Sequence, residues 1–174
     1  MCKKHPTICP IHCIIPPHMF EAIDANGTDE QKTMARSMQS ATQNYQNERQ
    51  SLMPQQAVKS AKGRGPKKSA TAKIEIYDAN SSTRLPGSLK RSTGDAPDSD
   101  NAVNLAYDGS EAVYNLYSTV YERNSIDDRG MTMKSSVHYD RSYNNAFWNG
   151  KQMAYGDGDG VLFSPLVDDI TIIG

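Results

Sequence analysis

Metal-binding and proton-transferring side chains gather in a few places along this 174-residue sequence. Cys2, His5, Cys9, His12, Cys13 and His18 crowd the leader, and all are zinc-type ligands. Their spacing, Cys2-x6-Cys9-x3-Cys13, matches no common structural zinc site, and Pro6, Pro10, Pro16 and Pro17 interrupt it. A leader with incidental thiols is the plain reading; a regulatory zinc site or a thiolate capping a metal elsewhere are the alternatives. Gly156-Asp157-Gly158-Asp159-Gly160 has the look of a calcium loop but lacks the distal Glu of an EF-hand. It reads better as a tight turn whose Asp side chains bond backbone amides. His138 stands beside Tyr139 with no nucleophile pattern nearby and reads as structural. None of His5, His12, His18 and His138 is followed by Glu, so there is no His-Glu-x-x-His. The stretch Asn144–Tyr155 needs no catalytic side chain to act. As an edge strand beside a cleft, 144–148 could pair its backbone with an extended peptide, with the Asn145 amide both donating and accepting. A hairpin buried inside a sheet is the equally open alternative.

These groups need elements to position them. Pro16-Pro17 stops any earlier structure, and Met19, Phe20 and Ile23, with Ala22 at the margin, form a helical apolar face that Asn26-Gly27 ends. Thr28 with Gln31 resembles a capping box, opening a second helix over 29–50 with a thin stripe of Met34, Met38, Ala41 and Tyr45. Residues 51–70, rich in Gly, Pro, Lys and Ser, read as a linker. Ala72, Ile74 and Ile76 alternate with polar neighbours as a half-buried strand does, with turns at 78–82 and 85–88. Residues 100–123 predict the strongest helix, capped by Asp100, with Val103, Ala106, Val113, Leu116, Tyr117, Val120 and Tyr121 on one broad face and Gly109 weakening its middle. Residues 131–139 alternate as a strand. Asn149-Gly150 predicts a two-residue type I′ turn between strands 144–148 and 151–155.

Composition narrows the function classes. Nineteen Lys and Arg against 20 Asp and Glu give a net charge of −1, which argues against general nucleic-acid binding through a basic surface. No apolar run approaches the roughly 18 residues of a membrane span. The leader is basic and proline-broken, unlike an ordinary secretory signal. Three cysteines, all in the leader, build no disulfide framework for the body. Val, Ile, Leu and Phe together number only 28 of 174 residues, so Tyr and Met must fill the core or a partner must supply part of it.

Tyr143-Asn144-Asn145-Ala146-Phe147-Trp148-Asn149-Gly150, followed by Met153 and Tyr155-Gly156-Asp157-Gly158-Asp159-Gly160, resembles the signature of the thermolysin family of zinc metalloendopeptidases. Ser135-Ser136-Val137-His138-Tyr139, Ile76-Tyr77-Asp78-Ala79, Leu85-Pro86-Gly87, Ala102-Val103-Asn104 with Ala106-Tyr107-Asp108, and Arg123-Asn124-Ser125 match the same family in the same order. The resemblance covers about 72–174. Ile15-Pro16-Pro17-His18-Met19 resembles the Pro-Pro motif of the short propeptide in the protealysin-like subgroup.

The resemblance implies an α+β fold: a short helical propeptide, then the β-rich N-terminal domain of a thermolysin-like metallopeptidase with one long helix. It divides the chain into a propeptide (1–52), a flexible linker holding the maturation cleavage region (53–70) and the N-terminal domain (71–174). It implies an edge strand that aligns substrate, with Asn145 bonding the substrate backbone, Ala146 offering its carbonyl, Trp148 its amide, and Phe147 packing nearby. It implies zinc in the full-length family, activating a water through the Glu of His-Glu-x-x-His. In relatives a run like Ile170–Gly174 leads directly into that motif, which 1–174 does not contain. The expectation is therefore a chain truncated before its zinc site and inactive alone, partnered by peptide or protein substrate and by a missing C-terminal catalytic half, with no nucleic acid and no membrane. The alternative is a stand-alone, non-catalytic peptide- or protease-binding paralogue. Thr171 stands where many relatives carry a calcium-binding Asp, so calcium is doubtful. The lack of an ordinary signal suggests a cytoplasmic start or a non-standard export route, although family members are often secreted.

Overall fold

A computed structural model of the chain describes residues 15, 17–57 and 71–169. The leader thiols, His5, His12, residues 58–70 and Thr171 lie outside the described residues. Helices α1 (Pro17–Asn26) and α2 (Asp29–Ala57) form a hairpin. The expected capping box joins them: Thr28 N–H donates to Gln31 Oε1 at 2.8 Å, and Gln31 N–H donates to Thr28 Oγ1 at 3.3 Å. These bonds satisfy donors that the first helical turn leaves without partners. Phe20 is buried and Ile23 partly so, whereas Met19 and Ala22 face solvent rather than the expected apolar face. Helix α2 runs through Pro54 to Ala57, past the predicted end at 50. Its backbone ladder continues where composition alone suggested a linker.

Five strands follow in one mixed sheet: β1 (Ile74–Ser82), β2 (Ser88–Ser92), β3 (Met133–Tyr139), β4 (Ala146–Trp148) and β5 (Met153–Tyr155). The order across the sheet is β2-β1-β3-β5-β4. β1 continues through 78–82, where a turn was expected. Asn80 and Ser81 take positive φ and the register shifts, yet Ser82 still pairs with Tyr139. Long-range pairing thus rescues a segment whose local signals favour a turn.

Helix α3 (Asn101–Val120) crosses one face of the sheet. Asp100 caps it as expected, its carboxylate accepting from Ala102 N–H at 2.9 Å. The buried stripe is Val103, Ala106, Tyr107, Ser110 and Tyr114, with Gly109 also buried. Leu116, Tyr117, Val120 and Tyr121, predicted for that face, are exposed. Among the described residues nothing covers these four side chains. Arg91 of β2 stacks over the Tyr107 ring at 3.8 Å and donates to Asn104 and Asp108, tying sheet to helix.

Two cores result. Ile74, Ile76, Val137, Ala146, Tyr155 and Leu166 pack toward α3, while Phe20, Ala35, Met38, Tyr139, Phe147 and Ala154 pack toward the α1–α2 hairpin. Tyr107, Tyr114, Tyr139, Tyr143 and Tyr155 are all buried, so tyrosine does replace much of the missing aliphatic core.

Candidate substrate-binding edge

The β4–β5 hairpin forms, with a different turn from the one predicted. Trp148 pairs with Met153 and Asn149 N–H donates to the Gln152 carbonyl at 3.1 Å, so the two-residue loop is Gly150-Lys151. Gly150 takes φ +95° as the first central residue, the position where a type II′ turn wants glycine. Asn149 instead folds its side chain over the turn, accepting from Lys151 and Gln152 N–H at 3.0 Å. The strands are three residues each, not five.

This register sets which way β4 points. Asn145 accepts from Gly156 N–H, and Asn149 bonds to Gln152. Antiparallel pairs alternate, so odd-numbered residues of β4 turn their backbone toward β5, and Ala146 and Trp148 turn theirs toward the outer side. β4 is the last strand of the sheet among the described residues. Asn145 and Ala146 are fully buried, Phe147 nearly so, and Trp148 is partly exposed. Phe147 sits in an edge-to-face aromatic cluster, 5.1 Å from the Tyr139 ring centre and 6.1 Å from that of Tyr143.

Asn145 Oδ1 accepts from Ala146 N–H at 2.8 Å and from Ile15 N–H at 3.4 Å. Its buried Nδ2 has no hydrogen-bond partner among the described residues. The leader therefore reaches the edge at the residue whose amide group the sequence singles out. Asn144, next to it, donates from Nδ2 to Asp159 Oδ2 at 2.7 Å and contacts the Met34 sulfur of α2 at 3.0 Å.

The glycine-aspartate run is a scaffold for this edge. Asp159 Oδ1 accepts from Val161, Leu162 and Phe163 N–H, the turn chemistry expected of the sequence. Burial opposes its ionisation, but the bonds from Asn144 and these amides outweigh that and hold its carboxyl below the ordinary range. Gly158 N–H donates to the Tyr143 carbonyl at 3.1 Å. A Cβ at Gly156 would sit 2.0 Å from that same carbonyl oxygen, so only glycine fits.

His138 is more than an isolated structural histidine. Its Nδ1 lies 2.8 Å from Asp157 Oδ1 and its Nε2 2.8 Å from Asp100 Oδ2. No local pattern announces this cluster, because Asp100 and Asp157 lie 38 and 19 residues away. Among the described residues no three His, Cys, Asp or Glu side chains converge as a metal-ligand set. Both His138 nitrogens face carboxylates, and Asp159 spends one oxygen on amides, so these groups do not fit a zinc or calcium site.

The sheet, its edge hairpin and the glycine-aspartate scaffold place the chain in a known group, and comparison with known proteins agrees. Residues 42–174 match the family model described as thermolysin metallopeptidase, catalytic domain. The chain belongs to the thermolysin family of metallopeptidases. It is 38% identical over 165 residues to Protease PrtS of Photorhabdus sp. (strain Az29), covering 92% of this chain and 43% of that protein. It is 37% identical over 160 residues to an extracellular metalloprotease of Pectobacterium carotovorum subsp. carotovorum, covering 89% of this chain and 42% of that one. The precursor of protealysin, a metalloproteinase from Serratia proteamaculans, superposes with a TM-score of 0.71 at 33% identity, covering 93% of this chain and 44% of its own. The thermolysin-family, protealysin-like resemblance and the α+β fold are thus borne out. The chain spans under half the length of these relatives. Family membership implies zinc, and calcium, in full-length members. No helix among the described residues is long and apolar enough to cross a membrane.

Proposed function

We propose that residues 1–174 are the leader and substrate-aligning part of a metalloendopeptidase precursor. The propeptide occupies 1–52, a flexible linker holding the maturation cleavage region 53–70, and the N-terminal domain 71–174. β4 receives an extended peptide as an added strand. Asn145 bonds the peptide backbone through its side-chain amide, Ala146 accepts through its carbonyl, Trp148 donates through its amide, and Phe147 stiffens the strand from beneath. The hydrogen bond from Ile15 N–H to Asn145 Oδ1 carries this reading. A backbone N–H of the chain's own leader already sits on the side chain expected to hold substrate. The leader then works as a cover that must leave before a peptide can pair.

The chemistry of cleavage needs zinc and its His-Glu-x-x-His, which 1–174 does not contain. Residues 1–174 are accordingly expected to be inactive alone. A catalytic half of the kind its relatives carry is the proposed partner, and peptides or proteins are the proposed substrates. Action outside the producing cell is the setting suggested by the relative described as extracellular.

The test fuses the chain to the remaining half of a relative and assays peptide hydrolysis. Chelator-sensitive cleavage is expected, with a raised KM in Asn145→Ala. Inactivity of a folded fusion, or an Asn145→Ala fusion with unchanged kinetics, would sink the reading.

A further inference from the structure

We propose that His138 is a positioning residue for the β4 edge: doubly protonated and clamped between Asp100 and Asp157, its ring fixes the loop that holds Asn145 in place.

The clamp follows from hydrogen-bond capacity. A neutral imidazole donates from one nitrogen and presents a lone pair at the other. Here both nitrogens lie 2.8 Å from carboxylate oxygens. A lone pair aimed at a carboxylate repels it, so between two ionised carboxylates only the imidazolium satisfies both contacts. Asp157 and Asp100 are the charged groups bearing on the ring, from the loop after β5 and from the start of α3. Burial disfavours the charged ring, but the bonds to Asp157 and then Asp100 outweigh it and hold the imidazolium to higher pH than usual. Burial likewise opposes ionisation of Asp100, yet its bond to His138 and to backbone amides lowers its carboxyl.

The backbone at His138 supports the same role. Its φ of +53° lies in the left-handed region, an uncommon place for a residue with a side chain. There the strand's alternation breaks: Val137 packs toward α3, while Tyr139 packs toward the leader hairpin. The bend lets the ring meet acids from two other elements.

From Asp157 the connection to the edge is short. Gly156 N–H donates to the Asn145 carbonyl at 3.0 Å, and Gly158 N–H to the Tyr143 carbonyl. Asp159 N–H donates to Asn144 Oδ1 at 2.7 Å. Residues 143–145 are thus bonded to a loop whose second residue is held by His138.

The signs define a window. A histidine favoured in its charged form contributes fully below its unfolded pKa, and that contribution is lost as pH rises through the folded value. Asp100 contributes above its unfolded pKa and loses this as pH falls through its depressed value. The clamp is therefore tightest between about pH 4 and about pH 6.5 and loosens on both sides.

The importance of Asn145 to a peptide rests on the function proposed above, but the clamp can be read with no peptide present. On the full chain, NMR would follow the His138 ring nitrogens and the exchange protection of Ala146, Gly156 and Gly158 from about pH 5 to about pH 9. The ring is expected to hold both protons where a free histidine is mostly neutral. Protection at the three amides should then fall together, on the order of tenfold, as the ring loses its proton, while α3 amides stay protected. In Asp157→Asn the ring should titrate at lower pH and the loss of protection should move with it. A ring found as one neutral tautomer at pH near 6.5, or loop protection indifferent to its titration, would overturn the proposal. Should Asp157→Asn fail to fold, the unsubstituted chain still decides.

Discussion

Helices α2 and α3 lie on opposite faces of the same sheet, and among the described side chains the longer one buries fewer. α3 has 20 residues and buries six of them, with a capped start and an arginine stacked from β2. α2 has 29 residues, yet its described buried side chains are Ala35, Met38 and Thr42, and Thr42 Oγ1 has no hydrogen-bond partner there. An open cleft of about 550 Å³, lined by Met34, Met38, Arg141 and Tyr143 among others, runs between α2 and the 140–143 loop. Helix length does not measure attachment; burial and satisfied polar contacts do. α3 is part of the domain's core, whereas the leader hairpin resembles a cover laid on a finished surface.

Four experiments would break or sharpen that contrast. Ile76, fully buried toward α3, should cost about 2–5 kcal/mol of global stability as Ile76→Ala. Denaturant unfolding measures this, and a near-neutral result would end the claim that the α3 side is the structural core. Phe20→Ala opens the leader side, where the residue is 1% exposed. In a cooperative core such a change costs about 3–5 kcal/mol. Here the hairpin is expected to detach instead, becoming protease-sensitive while the sheet's transition barely moves. If both substitutions depress the global transition alike, the two regions are one unit.

Acid comes next. The lowered Asp159 carboxyl contributes stability above its unfolded pKa, and this is lost as pH falls through the folded value. Amides of 161–163 and the Asn144 side chain should therefore lose protection at a higher pH than α3 does. Simultaneous loss would deny the loop any independence. Thr28→Ala should have the smallest effect, removing one cap of the α2 start at about 1 kcal/mol. It should lower the hairpin's helix signal alone, seen by circular dichroism as a pre-transition ahead of unchanged sheet melting.

The elements were legible where their causes are local. Asp100 as cap of α3, Thr28 with Gln31 at α2, the alternation of β3 and the β4–β5 hairpin all follow from short-range bonds and spacing. The hairpin register was misread because Asn149-Gly150 and Gly150-Lys151 are both acceptable loops; the observed pairing of Phe147 with Ala154 uses the second. The face of α3 was misread past Tyr114 because periodicity reports an apolar side, not how much of that side the described residues cover. The importance of residues 143–160 was visible in the family signature, while the bonding inside them was not.

By itself, then, the sequence determined the kinds of element, their caps and the family resemblance. Those depend on side-chain size, backbone preference and hydrogen bonds within a few residues. The tertiary structure decided that β4 is an outer strand, that Asn145 is buried with Ile15 upon it, and that His138 is gripped by two acids. The last two join groups 19 to 130 residues apart, and no local rule carries that far. Only packing the sheet between two unequal helical layers brings these groups within hydrogen-bond reach.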